Sequence, residues 1–156
     1  MYNIDEIMDM LHGSNNVEIQ QKGIELAKSI KSFNVFILPM HPGYNKNVWG
    51  NCAKILVDKP DKDLEPYLYQ LLEWLQDINW PGSLIILDRL KAFSEVKMLS
   101  FAVKNCVKRA IACDDKIWLN YLSELLDNEK LKAVISGDTL EVLQKHYHDW
   151  DWWDTD

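Results

Sequence analysis

The chain is short of every residue pattern that would announce a familiar chemistry. It has three cysteines, an odd number that cannot close into a paired disulfide framework. Cys52, Cys106 and Cys113 all fall within helical patterns and read as buried, reduced thiols of a cytoplasmic protein. Cys106 and Cys113 are seven residues apart, which is about 10 Å along a helix and too far to share one metal. The six glycines are scattered, none of them inside a Walker or dinucleotide fingerprint. No serine stands in a Gly-x-Ser-x-Gly elbow. No apolar run approaches the ~20 residues needed to cross a bilayer, and Met1 to Leu11 lacks the basic and apolar regions of a signal peptide. Cations are also scarce: 17 Lys and Arg against 24 Asp and Glu leave a formal charge of −7. Nonspecific nucleic-acid binding and attachment to anionic membranes both call for the opposite balance. An acidic surplus suits a basic protein partner, and it also favours solubility.

What is present is helix pattern. Asn3 is placed to cap a first helix with Ile4, Ile7, Met8 and Leu11 on one face and Gly13 after it. Asn15 or Asn16 opens a second, with Ile19, Ile24, Ala27 and Ile30 as its stripe. The stretch from Ser32 to Lys46 holds Pro39, Pro42 and Gly43 and reads as an extended connection pinned by Val35–Leu38. A third helix carries Val48, Cys52, Ile55 and Leu56 and must stop before Pro60. Asp61 or Asp63 caps a fourth, with Pro66 in its first turn and Leu64, Leu68, Leu71, Leu72 and Leu75 inward. Pro81 starts a fifth helix through Leu84, Ile85, Leu87 and Leu90. Val96, Leu99, Val103, Val107 and Ala110 mark a sixth, and Ile117, Trp118, Tyr121, Leu122, Leu125 and Leu126 a seventh. Two short helices follow, the last with Asp138 as cap and Glu141 at the capping-box position. The expected fold is all-α: about eight or nine helices in a short HEAT- or armadillo-like stack of antiparallel pairs. It forms one domain over residues 1–156, with an acidic, Trp-rich tail at 148–156.

The sequence holds no constellation of nucleophile, base and oxyanion donor. His146 and His148 form the one histidine pair; with Asp149 or Asp151 they would begin a metal site, but no nearby residue completes it. The carboxylate pairs Asp5–Asp9 and Asp61–Asp63 sit at helix starts or on exposed faces, where they complement the helix dipole. No catalytic residue, metal or cofactor is therefore expected. Lys97, Lys104 and Lys108 fall at i, i+7 and i+11 on the sixth helix with Arg109 beside them. They read first as a solvated face and second as an anion-binding stripe. The tail is the remaining charge feature. His148 to Asp156 holds four acids, three tryptophans and no Lys or Arg, so −4 of the −7 total lies in nine residues. Asp149, Trp150, Asp151, Trp152, Trp153 and Asp154 offer charge steering and aromatic anchors to a cationic partner. The competing reading folds the tryptophans back over the last helix pair.

The segment from Leu68 to Pro81 contains Glu73-Trp74-Leu-Gln-Asp77-Ile-Asn79-Trp80-Pro81. It resembles the Glu-Trp-Leu-Gln-Asp-x-Asn-Trp-Pro signature of the DUF5071-like small bacterial helical proteins, over roughly the middle third of the chain. The helices around Val48–Leu56 and Leu84–Leu90 are similar too. The resemblance names a fold element and no activity. Proteins of this kind occur among immunity proteins of polymorphic-toxin systems, which implies a cytoplasmic antidote that binds a toxin domain. The expected function is accordingly non-enzymatic binding of a protein partner, with no nucleic acid and no membrane. A helical-repeat adaptor for an endogenous partner and, further off, a helical metal-dependent hydrolase stand as alternatives. Within the signature, Trp74 is expected on or beside the core stripe and Asp77 and Asn79 at the helix junction, with a contact surface of Glu73, Asp77 and Trp80 as the alternative. Trp80 would pack under the turn, and Pro81 would set the next helix's direction.

Overall fold

The structure, a computed structural model, describes residues 2–148. Asn3 receives the Glu6 N–H at 2.8 Å while the Glu6 carboxylate accepts from Asn3 N–H, a reciprocal capping box that starts α1 (Ile4–Met10). Asn16 caps α2 (Val17–Ala27) through the Ile19 N–H. Asn15 serves the preceding helix instead, donating its side-chain amide to the Asp9 and Met10 carbonyls. Gly23 lies where the two helices cross; a Cβ there would meet Met10 Cβ at 2.8 Å.

The Pro-bounded stretch is more structured than an extended connection. It forms a 3₁₀ turn (Phe33–Phe36) that buries Phe36, and then an isolated antiparallel bridge between His41 and Tyr44. Next come α3 (Lys46–Val57) and a bent helical run, 61–76. The run consists of α4 (Asp61–Leu64), a 3₁₀ turn (Glu65–Tyr67), α5 (Leu68–Glu73) and a second 3₁₀ turn (Trp74–Gln76). Pro66 has no N–H to donate, which accounts for the break in what the leucine spacing predicts as one helix. Then follow α6 (Ser83–Lys91), α7 (Val96–Ala112), α8 (Lys116–Ser123) with its 3₁₀ extension (Glu124–Asp127), α9 (Glu129–Val134) and α10 (Gly137–His146). Counting 61–76 as one helix reduces ten α segments to nine among the described residues. The all-α expectation of eight or nine helices holds.

Beyond α3, each helix packs on its second neighbour, and α7 also packs on α8. α3 packs on α6, α6 on the 3₁₀ extension of α8, and α8 on α10; on the other side α5 packs on α7 and α7 on α9. Two rows of helices thus enclose one core, with Trp74, Trp118, Phe36 and Phe93 its largest fully buried side chains. Nothing in the described residues is a β-strand.

Several positions differ from the pattern reading. Ile117, expected on the inner face, is exposed at the first turn of α8, and on α6 the buried residues are Ile86, Leu87 and Leu90 while Leu84 is exposed. Ser136, not Asp138, is the residue that precedes α10, and its Oγ donates to Thr139 Oγ1 at 3.1 Å. Cys52 and Cys106 are buried as expected, but Cys113 is exposed just past α7.

Candidate interaction surfaces

The residues that carry the family resemblance form a helix junction, with Trp74 buried beneath it and Asn79 and Pro81 exposed. Trp74 is fully buried and donates its indole N–H to the Pro81 carbonyl at 2.9 Å, stapling the end of the bent run to the start of α6. Asp77 accepts the Asn79 N–H at 2.8 Å in an Asx turn, and Ser83 Oγ lies 2.8 Å from both the Trp74 and Asp77 carbonyls. Trp80 is partly exposed. It meets Trp49 edge-to-face at 5.5 Å, and Lys46 Nζ lies over both rings. Trp49 also donates to the Pro39 carbonyl at 2.8 Å, which ties the Pro-bounded loop to α3. Glu73 pairs with Arg109 of α7 at 3.2 Å, and the same guanidinium reaches Tyr69 and lies over the Trp118 ring. Arg109 is thereby drawn away from the lysine stripe beside it.

A second polar cluster closes the other end of the molecule. His146 Nδ1 and Asn120 Oδ1 are 2.7 Å apart, joining α10 to α8. His148 Nδ1 lies 3.3 Å from Glu124 Oε1, a buried carboxylate oxygen with no hydrogen-bond partner of good geometry among the described residues. Tyr147 donates its hydroxyl to Asp127, which also pairs with Lys91 at 3.1 Å. That bond and the lysine hold the Asp127 carboxyl below the ordinary carboxylate range, and the Tyr147 phenol is pushed up to about 12 by the same bond. His146 and His148 therefore face different partners. Among the described residues no three His, Cys, Asp or Glu side chains gather closely enough to hold a metal. The proposed contact residues Asp149, Trp150, Asp151, Trp152, Trp153 and Asp154 lie outside the described residues.

The third feature was only half legible in the sequence. Lys97, Lys104 and Lys108 do share an exposed face of α7, but Phe101 and Ile111 stand between and beyond them on the same face. Phe101 is 63% exposed and Ile111 52%, so the stripe alternates charge with open apolar surface. The spacing 97, 101, 104, 108, 111 was the available signal, since steps of four and three keep side chains on one face of a helix. At its C-terminal half the stripe borders an open groove of about 400 Å³ against the start of α10. Lys104, Lys108, Ile111, Thr139 and Val142 line it, along with one acid, Asp138.

An all-α protein with two helical rows, structural tryptophan staples and an open surface groove beside α7 is the class these features define. The chain belongs to the family described as Domain of unknown function (DUF5071), whose profile matches residues 51–146. The match runs from within α3 to the last residue of α10 and so includes the whole Glu73–Pro81 junction. No curated protein and no solved structure matches the chain. No helix among the described residues is long and apolar enough to cross a membrane.

Proposed function

We propose that the chain is a non-enzymatic protein-binding module, an immunity protein of the cytoplasm that neutralises a bacterial toxin by stoichiometric binding. The observation that carries this reading is the composition of the C-terminal segment, four acids and three tryptophans in residues 148–156 with no Lys or Arg. Acidic groups raise the encounter rate with a basic surface, and tryptophans are the anchors that most often dominate binding energy. The alternating helix contacts are in keeping with a HEAT-like stack, a scaffold whose outer faces suit protein partners. The family resemblance supplies the toxin context.

The test is co-expression with the gene immediately upstream. Toxicity of that product should be relieved by this chain, and the two should co-purify as a complex. Changing Asp149, Asp151 and Asp154 together to Asn should weaken the complex at least tenfold and flatten its salt dependence. Protection without a physical complex would overturn the binding mechanism. A complex with an endogenous protein and no protection would favour an adaptor role.

A further inference from the structure

We propose that the open face of α7, with the groove it forms against the start of α10, docks an acidic amphipathic helix of a partner protein. The inference goes beyond the toxin reading, which rests on an acidic segment and a basic partner; this face is cationic and calls for a partner of the opposite sign.

The spacing of the face points to a helix as its occupant. Lys97, Phe101, Lys104, Lys108 and Ile111 follow one another at steps of four, three, four and three, the seam repeat by which one helix packs along another. All five are exposed, and the stripe runs for about four turns, ~21 Å by helix rise. α7 packs on α5, α8, α9 and α10 through its inward side, where Leu99, Val103, Cys106 and Ala110 are buried. The outward seam has the start of α10 as a wall along its C-terminal half, and Val107 and Val142 add apolar lining there. No helix among the described residues covers it. A seam with one wall is the geometry in which an amphipathic helix lays its apolar face into a groove.

Charge sets the sign of the partner. Among the described residues, none of the three lysines enters an ion pair or lies over an aromatic ring. The other cations near helix junctions are engaged: Arg89 with Asp61, Lys91 with Asp127, Arg109 with Glu73. Three cations on one seam of a chain of net charge −7 thus remain for a partner's carboxylates, while Phe101 and Ile111 offer apolar contact on the same line. Asp138 is the one acid among the groove's described residues and stands on its α10 side. The partner's carboxylates therefore face α7 and its apolar side chains face Val142. Two other occupants fit less well. A second copy packed antiparallel through this seam would bring Lys104 against its own counterpart, like charge on like. A helix that lies on a membrane keeps its cations on the polar face, apart from the apolar one, whereas Lys104 and Lys108 stand between Phe101 and Ile111.

The probe is a synthetic helix of about 18 residues, long enough to span the stripe, with leucines at seam positions and glutamates beside them. Fluorescence anisotropy with the full chain should show saturable binding. A version with lysine in place of every glutamate should bind at least tenfold more weakly, as should the acidic probe in about 0.5 M salt. Lys104→Glu with Lys108→Glu should weaken the acidic probe at least tenfold, and Phe101→Ser should weaken it about threefold or more. Circular dichroism controls for folding of these variants, and Lys104→Gln with Lys108→Gln provides a milder pair. Binding that neither lysine pair changes, or no saturation by about 1 mM probe, would overturn the proposal. Lysine-dependent sedimentation with phosphatidylserine vesicles and no probe binding would assign the face to a membrane surface and overturn it too. Self-association in sedimentation velocity that Phe101→Ser abolishes would assign it to a second copy, with the same consequence. None of these results bears on the toxin reading, which the Asp149, Asp151 and Asp154 variant tests separately.

Discussion

Arg89 and Asp61 close a clip between chain segments that the sequence separates by 28 residues: Nη2 meets Oδ1 at 2.6 Å. The same guanidinium donates to the Val57 and Lys59 carbonyls, and Asp61 Oδ2 accepts the Ser94 N–H at 2.7 Å. One ion pair thus gathers the end of α3, the start of the bent run, the end of α6 and the approach to α7. Both side chains are less than one-fifth exposed, so the pair is shielded far better than the surface pairs of the molecule.

Partial burial alone would raise the Asp61 pKa, but the Ser94 N–H and the Arg89 charge more than offset it and hold the carboxyl below its ordinary value. A depressed carboxylate contributes stability above its unfolded pKa of about 3.9 and loses it as pH falls through the folded pKa. Asp61→Asn should cost about 1–3 kcal/mol at pH 7. Urea unfolding at pH 7 and in steps below pH 4 checks this: the gap between wild type and variant should narrow as acid protonates Asp61. A gap that stays constant through the acid range would refute it.

Gly82 should tolerate no side chain. Its φ is +87°, and a Cβ there would lie 2.7 Å from Ala53 Cβ and 2.9 Å from the Trp49 carbonyl oxygen. Left-handed backbone and overpacking act together, so Gly82→Ala should destabilise the fold by about 2–4 kcal/mol. Ala53→Gly in the Gly82→Ala background relieves one contact but not the backbone strain. Thermal unfolding should show partial recovery in the double variant and no recovery to wild type.

Asn128 is a buried three-way connector. Its amide donates to the Leu90 and Phe93 carbonyls at 3.1 and 2.9 Å, and its Oδ1 accepts the Leu131 N–H at 3.1 Å to cap α9. Asn128→Ala should cost about 2–4 kcal/mol by removing a cap and stranding buried acceptors. Asn128→Asp keeps the cap acceptor but sets a buried carboxylate oxygen against the Leu90 and Phe93 carbonyls, so equilibrium unfolding at pH 7 should place it below Ala.

These connectors mark the limit of what was legible in the sequence. Leucines at 64, 68, 71, 72 and 75 and the Asn3 cap are local patterns, and the structure follows them. Asn128 to Leu90 and Arg89 to Asp61 are contacts across 38 and 28 residues, and no periodicity encodes them. Ile117 failed as an inward position because a first-turn residue of a helix faces wherever the preceding loop aims it. The α7 stripe was found as lysines and missed as a mixed surface, because Phe101 and Ile111 look like core residues until the opposite face, Leu99, Val103, Cys106 and Ala110, fills the interior. The Glu73–Pro81 signature was readable as a junction because its turn chemistry lies within ten residues.

The thiols should separate cleanly by reactivity. Burial pushes the Cys106 thiol up to about 12 and the Cys52 thiol higher still, and neither has solvent access. Cys113 is open at the end of α7. A thiol-disulfide reagent at pH 8 should therefore titrate one thiol per chain rapidly and the other two only as fast as the protein opens. In denaturant all three should react at once, and Cys113→Ser should abolish the fast phase while leaving stability within about 0.5 kcal/mol of wild type. Fast modification of Cys106 in the folded protein would mean that the α5–α7 contact opens readily.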